Sequence, residues 1–381
     1  MILVAVDSSG IHKAWSTQES IKELGSLALS AGAEVVGTLT QKLEEPSRQH
    51  YIGKGKLEEL LRLKEKLNYD SVFVDDELTP QQQQAMEEYL ETKVVDRIGL
   101  ILDIFARRAR TREGKLQVEL AQYEYNLPRL TGKWQHLERL GGGIGTRGPG
   151  ESQLETDKRL MRQKITRLKK QIEEISHQRE LYRKNRRGSG IPTVALVGYT
   201  NSGKSTLINA LSKSTVLAKN ELFSTLDPTT RRLRLPDNQP ILLTDTVGFI
   251  RKLPTALIAA FRATLEELSD AAVLIHVVDI TSSNAADQFN TVEDILKDLD
   301  LADKPRIIAL NKIDEILPAG EKWDEARAIE YYIAQSGEPA EDSVLISAYK
   351  RWGFAGLFKL IAAKLPEPVI LETWQTGVEN G

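Results

Sequence analysis

The segment TVALVGYTNSGKST at residues 193–206 constrains the fold more than any other stretch of the chain. An apolar strand runs into the pattern G-x-x-x-x-G-K-S, and a helix-forming run, STLINAL, follows it. Glycines at 198 and 203 permit a loop whose backbone N–H groups point inward at phosphate oxygens, while Lys204 supplies a cation and the Ser205 hydroxyl can bind Mg²⁺. The sequence therefore predicts an α/β domain with a mostly parallel sheet and a phosphate site at its carboxyl edge.

A second strand, ILLTDTVGF at 241–249, ends in the pattern D-x-x-G. A carboxylate at the carboxyl end of a strand beside a phosphate loop can hold Mg²⁺ through water, and the Gly248 N–H can meet a γ-phosphate. The tetrapeptide is a weak signal alone, but its position after the phosphate loop makes it a strong one. Asp245 and Gly248 are therefore predicted to lie beside the same phosphates as Lys204.

A third motif, N-K-x-D in PRIIALNKID at 305–314, indicates which base is bound. Guanine presents two donors on one edge, which a single carboxylate accepts together, whereas adenine presents an acceptor there. An unpaired Asp314 carboxylate beside adenine would be energetically costly. Asn311 is expected at the other edge of the base and Lys312 along its ring. The motif therefore predicts guanine, and the site as a whole predicts GTP.

Two features near the phosphates stay open on the residues alone. The segment LFSTLDPTTRR offers Thr225, Thr229 and Thr230 for the threonine that completes the Mg²⁺ shell, and spacing does not choose among them. Phe249 stands where many GTPases carry a glutamine that orients the attacking water. Because phenylalanine cannot form such a hydrogen bond, unaided hydrolysis is slow or depends on another group. The alternative is that Phe249 serves packing only.

The first hundred residues alternate strand-like and helix-like segments and predict a small α/β domain. The strand-like segments are 33–39, 70–76 and 92–98. Between them lie two helix-like runs, and Thr79 and Pro80 are placed as the cap and first position of the second. YIGKGK at 51–56 could bind an anion at a helix start, but a plain strand-to-helix turn is the better interpretation.

Two apolar stripes at helical spacing follow and predict a long antiparallel helical hairpin, called the arm here. The stripes consist of Leu116, Leu120, Tyr123, Leu127 and Leu130, and of Leu154, Met161, Ile165, Leu168, Ile172 and Ile175. A glycine-rich stretch between them, LGGGIGTRGPG, would form the tip of the arm. It contains G-x-G-x-x-G, but a dinucleotide fingerprint must follow a buried strand, and the preceding QHLERL is polar and helical.

Positive charge is concentrated in the arm. Residues 131–187 hold fifteen Lys and Arg against seven Asp and Glu, a net of +8 in a chain whose formal net charge is −3. A solvated helix face explains a charge run by itself, and a phosphate-rich partner is the sharper alternative. The absence of Cys excludes disulfides and thiolate metal sites and favours a cytoplasmic protein. We find neither a run long enough to cross a membrane nor an export signal.

The chain resembles the HflX family of ribosome-associated GTPases over nearly its whole length. The resemblance is carried by YIGKGKLEEL, LILDIFARRARTREGKLQVELAQ, LGGGIGTRGPGESQLETDKR, GYTNSGKST, FSTLDPTTR, DTVGFI and NKID. It implies a GTPase that binds the large ribosomal subunit, is stimulated by the ribosome, and acts in splitting or rescue of stalled ribosomes, translation or ribosome biogenesis. Matching to the family assigns the Mg²⁺ threonine to Thr225.

The resemblance also assigns the arm tip at 139–159 to the large subunit and its rRNA. Glycines let the tip approach folded RNA closely, and the cations Arg139, Arg147, Lys158 and Arg159 would neutralise phosphates there. A GTP-dependent switch acting on a protein partner and an ATP-driven RNA remodeller using the N-terminal domain are the alternatives. The protein-partner switch would not need a basic, glycine-tipped arm. For the RNA remodeller, no adequate phosphate loop is visible in the N-terminal domain.

The predicted organisation is an N-terminal α/β domain (1–98), the arm (99–187, with its tip at 139–151), a linker (188–191), a P-loop GTPase domain with helices on both faces of its sheet (192–366) and a short tail (367–381). We expect a monomer without membrane insertion. Catalytic roles are predicted for Lys204, Thr225 and Gly248, and Mg²⁺ binding for Ser205 and Thr225. The predicted nucleotide-binding residues are Gly198, Tyr199, Thr200, Asn201, Ser202, Gly203, Lys204, Ser205, Thr206, Phe223, Ser224, Thr225, Leu226, Asp227, Asp245, Thr246, Val247, Gly248, Asn311, Lys312, Ile313, Asp314, Ser347, Ala348 and Tyr349.

Overall fold

A computed structural model describes residues 1–8, 15–132, 149–188, 190–212, 222–223, 225–252 and 267–366. The predicted tip at 139–151 and the tail at 367–381 therefore lie wholly or mostly outside the described residues, as does Ser224. Within the described part of the chain, no helix has the length and hydropathy needed to cross a membrane.

The N-terminal residues form a four-stranded parallel sheet in the order β2-β1-β3-β4. Its elements are β1 (Ile2–Ser8), α1 (Thr17–Ser30), β2 (Gly37–Leu43), α2 (Lys54–Leu67), β3 (Ser71–Val74), α3 (Pro80–Leu90), β4 (Lys93–Asp96) and α4 (Arg97–Arg108). Thr79 caps α3 by accepting a hydrogen bond from the Gln82 N–H, and Pro80 takes the first helical position, as predicted. The YIGKGK segment is a strand-to-helix turn, because α2 begins at Lys54 directly after Gly53.

Two helices represent the arm: α5 (Arg112–Asn126), continued by a 3₁₀ turn (Leu127–Gly132), and the long α6 (Pro149–Gly188). Ion pairs join them, with Lys169 2.9 Å from Glu124 and Arg179 3.1 Å from Glu113. The predicted stripe on α5 is only half-buried. A second face of the same helix packs more deeply, against the N-terminal core. Val118 and Ala121 are buried on that second face.

Asp96 anchors α5 to the N-terminal sheet. This fully buried carboxylate caps α4 through the Gly99 N–H at 2.8 Å and accepts the Tyr125 hydroxyl at 2.7 Å. Its other oxygen accepts from the Leu78 N–H and the Arg129 guanidinium, each at 3.1 Å. Because buried carboxylates are costly without donors, the contacts from Tyr125 and Arg129 fix the C-terminal end of α5 and the following 3₁₀ turn against the sheet.

The second sheet has six strands in the order β10-β9-β8-β5-β7-β6, and β6 alone among them runs antiparallel to its neighbour. Its elements are β5 (Thr193–Val197), α7 (Lys204–Leu211), β6 (Thr229–Arg234), β7 (Pro240–Asp245), β8 (Val273–Asp279), α8 (Ala285–Asp298), β9 (Arg306–Asn311), a 3₁₀ turn (Ile313–Glu315), α9 (Glu325–Ser336), β10 (Ser343–Leu345) and α10 (Phe354–Lys364). The α/β architecture with a parallel-dominated P-loop sheet is thus confirmed.

The two sheets share a hydrophobic core. One cluster of buried residues includes α4 and α5 of the first half together with Tyr199, Phe223 and Phe249 of the second. Phe105 meets Phe223 edge to face, with ring centroids 4.7 Å apart. The segments that flank the predicted phosphate site therefore pack directly on the N-terminal domain.

Candidate nucleotide-binding site

The loop between β5 and α7 needs glycine at two positions. Gly198 and Gly203 have φ values of 150° and 100°, which side chains with a Cβ rarely adopt. A Cβ on Gly198 would lie 2.4 Å from the Val277 carbonyl oxygen, and one on Gly203 would lie 2.2 Å from the Asn311 amide nitrogen. The loop is therefore closed tightly against β8 and the N-K-x-D segment, as a phosphate-binding loop requires.

Lys204 is buried at the start of α7, and its ammonium lies inside the curve of this loop. Nζ donates to the carbonyl oxygens of Gly198 at 3.0 Å and Tyr199 at 2.7 Å. Burial lowers the pKa of Lys204 to about 8, and the carboxylate of Asp245 opposes that shift. An incoming phosphate would add negative charge beside this buried cation, whose burial the Asp245 carboxylate only partly offsets.

Three oxygen-bearing side chains meet beside the loop. Asp245 Oδ2 accepts hydrogen bonds from the Ser205 hydroxyl at 2.8 Å and the Thr225 hydroxyl at 2.9 Å, and the two hydroxyls lie 2.7 Å apart. Burial raises the pKa of Asp245, while Lys204 and the two hydroxyls oppose the shift. Asp245 Oδ1 is buried and has no hydrogen-bond partner among the described residues. An unused carboxylate oxygen beside two hydroxyls suits Mg²⁺, which prefers oxygen ligands.

The same cluster distinguishes the three candidate threonines. Thr225 reaches Asp245, whereas Thr229 and Thr230 lie in β6. The Thr230 hydroxyl pairs with Thr244 at 2.9 Å instead. The geometry therefore favours Thr225, the residue that the family resemblance implied.

Gly248 and Phe249 close the other side of the loop. A Cβ on Gly248 would lie 2.7 Å from Thr200 Cα and 3.2 Å from Lys204 Nζ. The Phe249 N–H donates to the Gly198 carbonyl at 3.1 Å, and its own carbonyl accepts from the Thr200 N–H at 2.7 Å. The Phe249 ring is 5 % exposed and belongs to the shared core. Phe249 thus has a clear packing role in this conformation.

The predicted base-binding residues come together at the ends of β9 and β10. The Asn311 amide donates to the Ser202 carbonyl at 2.8 Å and accepts from the Ala348 N–H at 3.0 Å. Asn311 therefore joins the phosphate loop to the segment containing Ser347. Lys312 lies 2.6 Å from Asp279, and Asp314 is half-buried in the adjacent 3₁₀ turn.

Two residues of the predicted nucleotide-binding set contact earlier parts of the chain: Tyr199 contacts the N-terminal domain and Asp227 contacts the arm. The Tyr199 hydroxyl donates to Glu23 in α1. Burial raises the pKa of this hydroxyl, so it stays protonated as a donor. The Asp227 carboxylate accepts from the backbone N–H groups of Arg110 and Thr111 at 2.8 and 2.9 Å. Neither contact could be predicted from the sequence, because each partner lies more than a hundred residues away and no local pattern links the two positions.

Comparison with known proteins agrees with this geometry. Residues 193–312 match the family model described as 50S ribosome-binding GTPase. Residues 18–106 and 108–186 match the models for the N-terminal and middle regions of GTP-binding GTPases. The chain is 52% identical over 325 residues to GTPase HflX of Caldanaerobacter subterraneus subsp. tengcongensis, covering 85% of this chain and 75% of that protein. The chain belongs to the HflX family of GTPases.

A second HflX relative, from Escherichia coli, is 41% identical and covers 95% of this chain and 83% of its own length. The solved structure described as SsGBP with GDP is 27% identical with a TM-score of 0.50, covering 95% of this chain and 97% of that one. Membership of the HflX family confirms the resemblance seen in the sequence motifs. The chain is accordingly a GTP-binding protein and a GTPase, which converts GTP and water to GDP and phosphate.

Proposed function

We propose that this GTPase binds Mg²⁺–GTP at the carboxyl edge of its six-stranded sheet and acts on the large ribosomal subunit. The observation that carries the first part is the cluster of Ser205, Thr225 and Asp245 beside the buried ammonium of Lys204. Mg²⁺, when bound, would neutralise charge on the phosphates. Ser205 and Thr225 would hold it directly, and Asp245 would hold it through water.

Three other predicted residues bind and orient the nucleotide in this proposal. Lys204 contacts the β- and γ-phosphates, and the Gly248 N–H meets the γ-phosphate. Asp314 accepts both donors on one edge of guanine. Because the Phe249 ring is packed in the core and cannot orient water, hydrolysis by the isolated protein is slow and rises when the ribosome supplies the missing group.

The arm is the proposed binding element for the large subunit and its rRNA. Exposed cations lie along α6, and they include Arg159, Arg162, Arg167 and Lys170. Arg139 and Arg147 lie outside the described residues, but they extend the same positive run in the sequence. Contacts of Lys and Arg with phosphates supply most non-specific affinity for nucleic acid. The description of the matching family model, 50S ribosome-binding GTPase, also supports this partner.

We further propose that the protein is a cytoplasmic monomer and that it serves splitting or rescue of stalled ribosomes, translation or ribosome biogenesis. These cellular roles share the same molecular event, GTP-dependent binding to the large subunit. The proposal does not require an ATP site in the N-terminal domain. ATP hydrolysis that survives Lys204→Ala would instead support the RNA-remodeller alternative.

Cosedimentation with purified large subunits tests the proposal. We expect binding with a non-hydrolysable GTP analogue, weaker binding with GDP, and a steep loss of binding as salt rises. The double variant Arg139→Glu/Arg147→Glu should lose binding. A matched reversal on the exposed side of α2, Arg62→Glu/Lys66→Glu, should keep it. Absence of wild-type binding at low salt would overturn the ribosomal function. Equal binding by both double variants would overturn the role of the arm.

A further inference from the structure

Asp227 follows Thr225 by two residues, yet its carboxylate contacts the arm. One oxygen accepts the N–H groups of Arg110 and Thr111, at 2.8 and 2.9 Å. The other accepts the hydroxyl of Thr111, which is the N-cap residue of α5. An anion is favoured at a helix N-terminus, so the α5 end both orients the carboxylate and complements its charge.

The first turn of α5 is built to admit this carboxylate. The Thr111 hydroxyl accepts from the Gly114 N–H at 3.0 Å, which caps the helix. A Cβ on Gly114 would lie 2.4 Å from Asp227 Oδ1. Glycine is an unfavourable residue inside a helix, and here it leaves space that any other side chain would fill.

At the other end of the same short segment, Thr225 lies in the cluster proposed to hold Mg²⁺. Its hydroxyl is 2.9 Å from Asp245 and 2.7 Å from Ser205. Leu226, between Thr225 and Asp227, is buried. Because consecutive Cα atoms are about 3.8 Å apart and the one residue between them is buried, we expect a displacement of Asp227 to move Thr225.

We propose that Asp227 is a positioning residue, which holds Thr225 at the Mg²⁺–GTP site by binding the N-terminus of α5. The contact makes the position of Thr225 depend on the position of the arm. This inference rests on the proposed function, because it takes Thr225 to serve Mg²⁺–GTP. In this proposal Asp227 acts on the nucleotide site through Thr225.

Equilibrium nucleotide binding tests the role of Asp227. Affinities for a non-hydrolysable GTP analogue and for GDP are measured across a Mg²⁺ titration, using Asp227→Asn and Gly114→Ala. Asp227→Asn removes the charge, whereas Gly114→Ala keeps Asp227 and displaces it. We expect each variant to bind the analogue about tenfold more weakly and to need more Mg²⁺, as the loss of charged hydrogen bonds predicts. Affinity for GDP should change less than about twofold, because Thr225 serves the triphosphate state.

The double variant and two controls make the test specific. If the two substitutions break the same contact, the double variant should bind the GTP analogue no more weakly than the weaker-binding single variant. Asp237→Asn, at an exposed turn between β6 and β7, should bind both nucleotides like the wild type. Thermal unfolding should show that all variants remain folded at the assay temperature.

Three outcomes would overturn the inference. These are unchanged affinity for the analogue, an equal loss of analogue and GDP affinity, and additive effects of the two substitutions. Thr225→Ala separates this failure from failure of the proposed site. If Thr225→Ala leaves Mg²⁺-dependent analogue binding intact, the proposed role of Thr225 fails and the inference falls with it. If Thr225→Ala weakens binding but Asp227→Asn and Gly114→Ala do not, only the positioning role of Asp227 is wrong.

Discussion

The ammonium of Lys252, just beyond the D-x-x-G segment, lies 2.6 Å from the carboxylate of Asp75 at the end of β3. Asp75 also pairs with Arg97 at 2.9 Å, and Arg97 pairs with Glu23. Glu23 in turn accepts the hydroxyl of Tyr199 in the phosphate loop. The phosphate loop and the segment after D-x-x-G are therefore joined to the N-terminal domain through one chain of polar contacts, buried except at the half-buried Lys252.

Arg97 holds this network together, and its removal should destabilise the protein. Its side chain is 1% exposed and separates the carboxylates of Glu23 and Asp75. Arg97→Met leaves Glu23 buried without a cation and Asp75 with Lys252 alone, so we expect a loss of about 3–5 kcal/mol in the free energy of unfolding. Urea unfolding, monitored by circular dichroism, measures this change in the free energy of unfolding.

Arg62→Met is the matched control, because the Arg62–Glu58 ion pair on α2 is exposed and its nitrogen–oxygen distance is a long 3.7 Å. Its effect should stay within about 0.5 kcal/mol. Equal stability of the Arg97 and Arg62 variants would mean that the network contributes nothing.

Gly248→Ala should impair triphosphate binding. The added Cβ would lie 2.7 Å from Thr200 Cα, which is backbone and cannot move aside cheaply. We expect at least about a tenfold loss of affinity for a GTP analogue, measured by fluorescence titration. Gly55→Ala is the control, since a Cβ there meets no atom within 4 Å. Wild-type affinity in Gly248→Ala would show that this glycine is not needed at the γ-phosphate.

Asp314→Asn should change which base is preferred. An amide offers a donor where the carboxylate only accepts, so preference should move away from guanine and toward xanthine. Competition between GTP and XTP for the bound site measures the change, and Asp303→Asn, at an exposed position, is the control. Unchanged selectivity for GTP would remove Asp314 from the base site.

His276 should make the stability of the GTPase domain depend on pH. This residue of β8 is buried, stacks on Phe289 at 4.6 Å and lies 3.1 Å from Glu293. Burial lowers the pKa of His276, although Glu293 opposes the shift. His276 therefore takes up a proton near pH 6.5 in the unfolded chain but only at lower pH in the folded chain. The free energy of unfolding consequently decreases as pH falls below about 7 toward the folded pKa.

His276→Phe preserves the stacked ring and removes the titration. Its thermal midpoint should change less between pH 7.5 and pH 5.5 than that of the wild type. Parallel pH profiles for the two proteins would assign the dependence to other groups.

Much of the nucleotide site could be predicted from the sequence because each motif is local. Lys204, Asp245 and Asn311 are fixed by short patterns at strand ends, and parallel strands bring those ends to one edge. The choice of Thr225 needed either the family resemblance or the structure. Spacing alone cannot tell which threonine of a loop reaches a carboxylate on another strand.

The contacts between domains could not be predicted in this way. Whether Phe249 packs or affects catalysis stayed open, because its burial depends on the distant helices of the N-terminal domain. The second buried face of α5, with Val118 and Ala121, was hidden because a regular stripe on the other face already explained the helix. Asp227 was predicted to bind nucleotide from its place in FSTLDPTTR, and its contact with Thr111, 116 residues away, could not be predicted from that segment.

GTP hydrolysis with and without purified large ribosomal subunits tests the central claim most directly. We predict that subunits accelerate the wild type by at least about an order of magnitude. Arg139→Glu/Arg147→Glu should keep the slow unstimulated rate and lose the acceleration. An identical wild-type rate with and without subunits, at low salt and saturating GTP, would contradict the account.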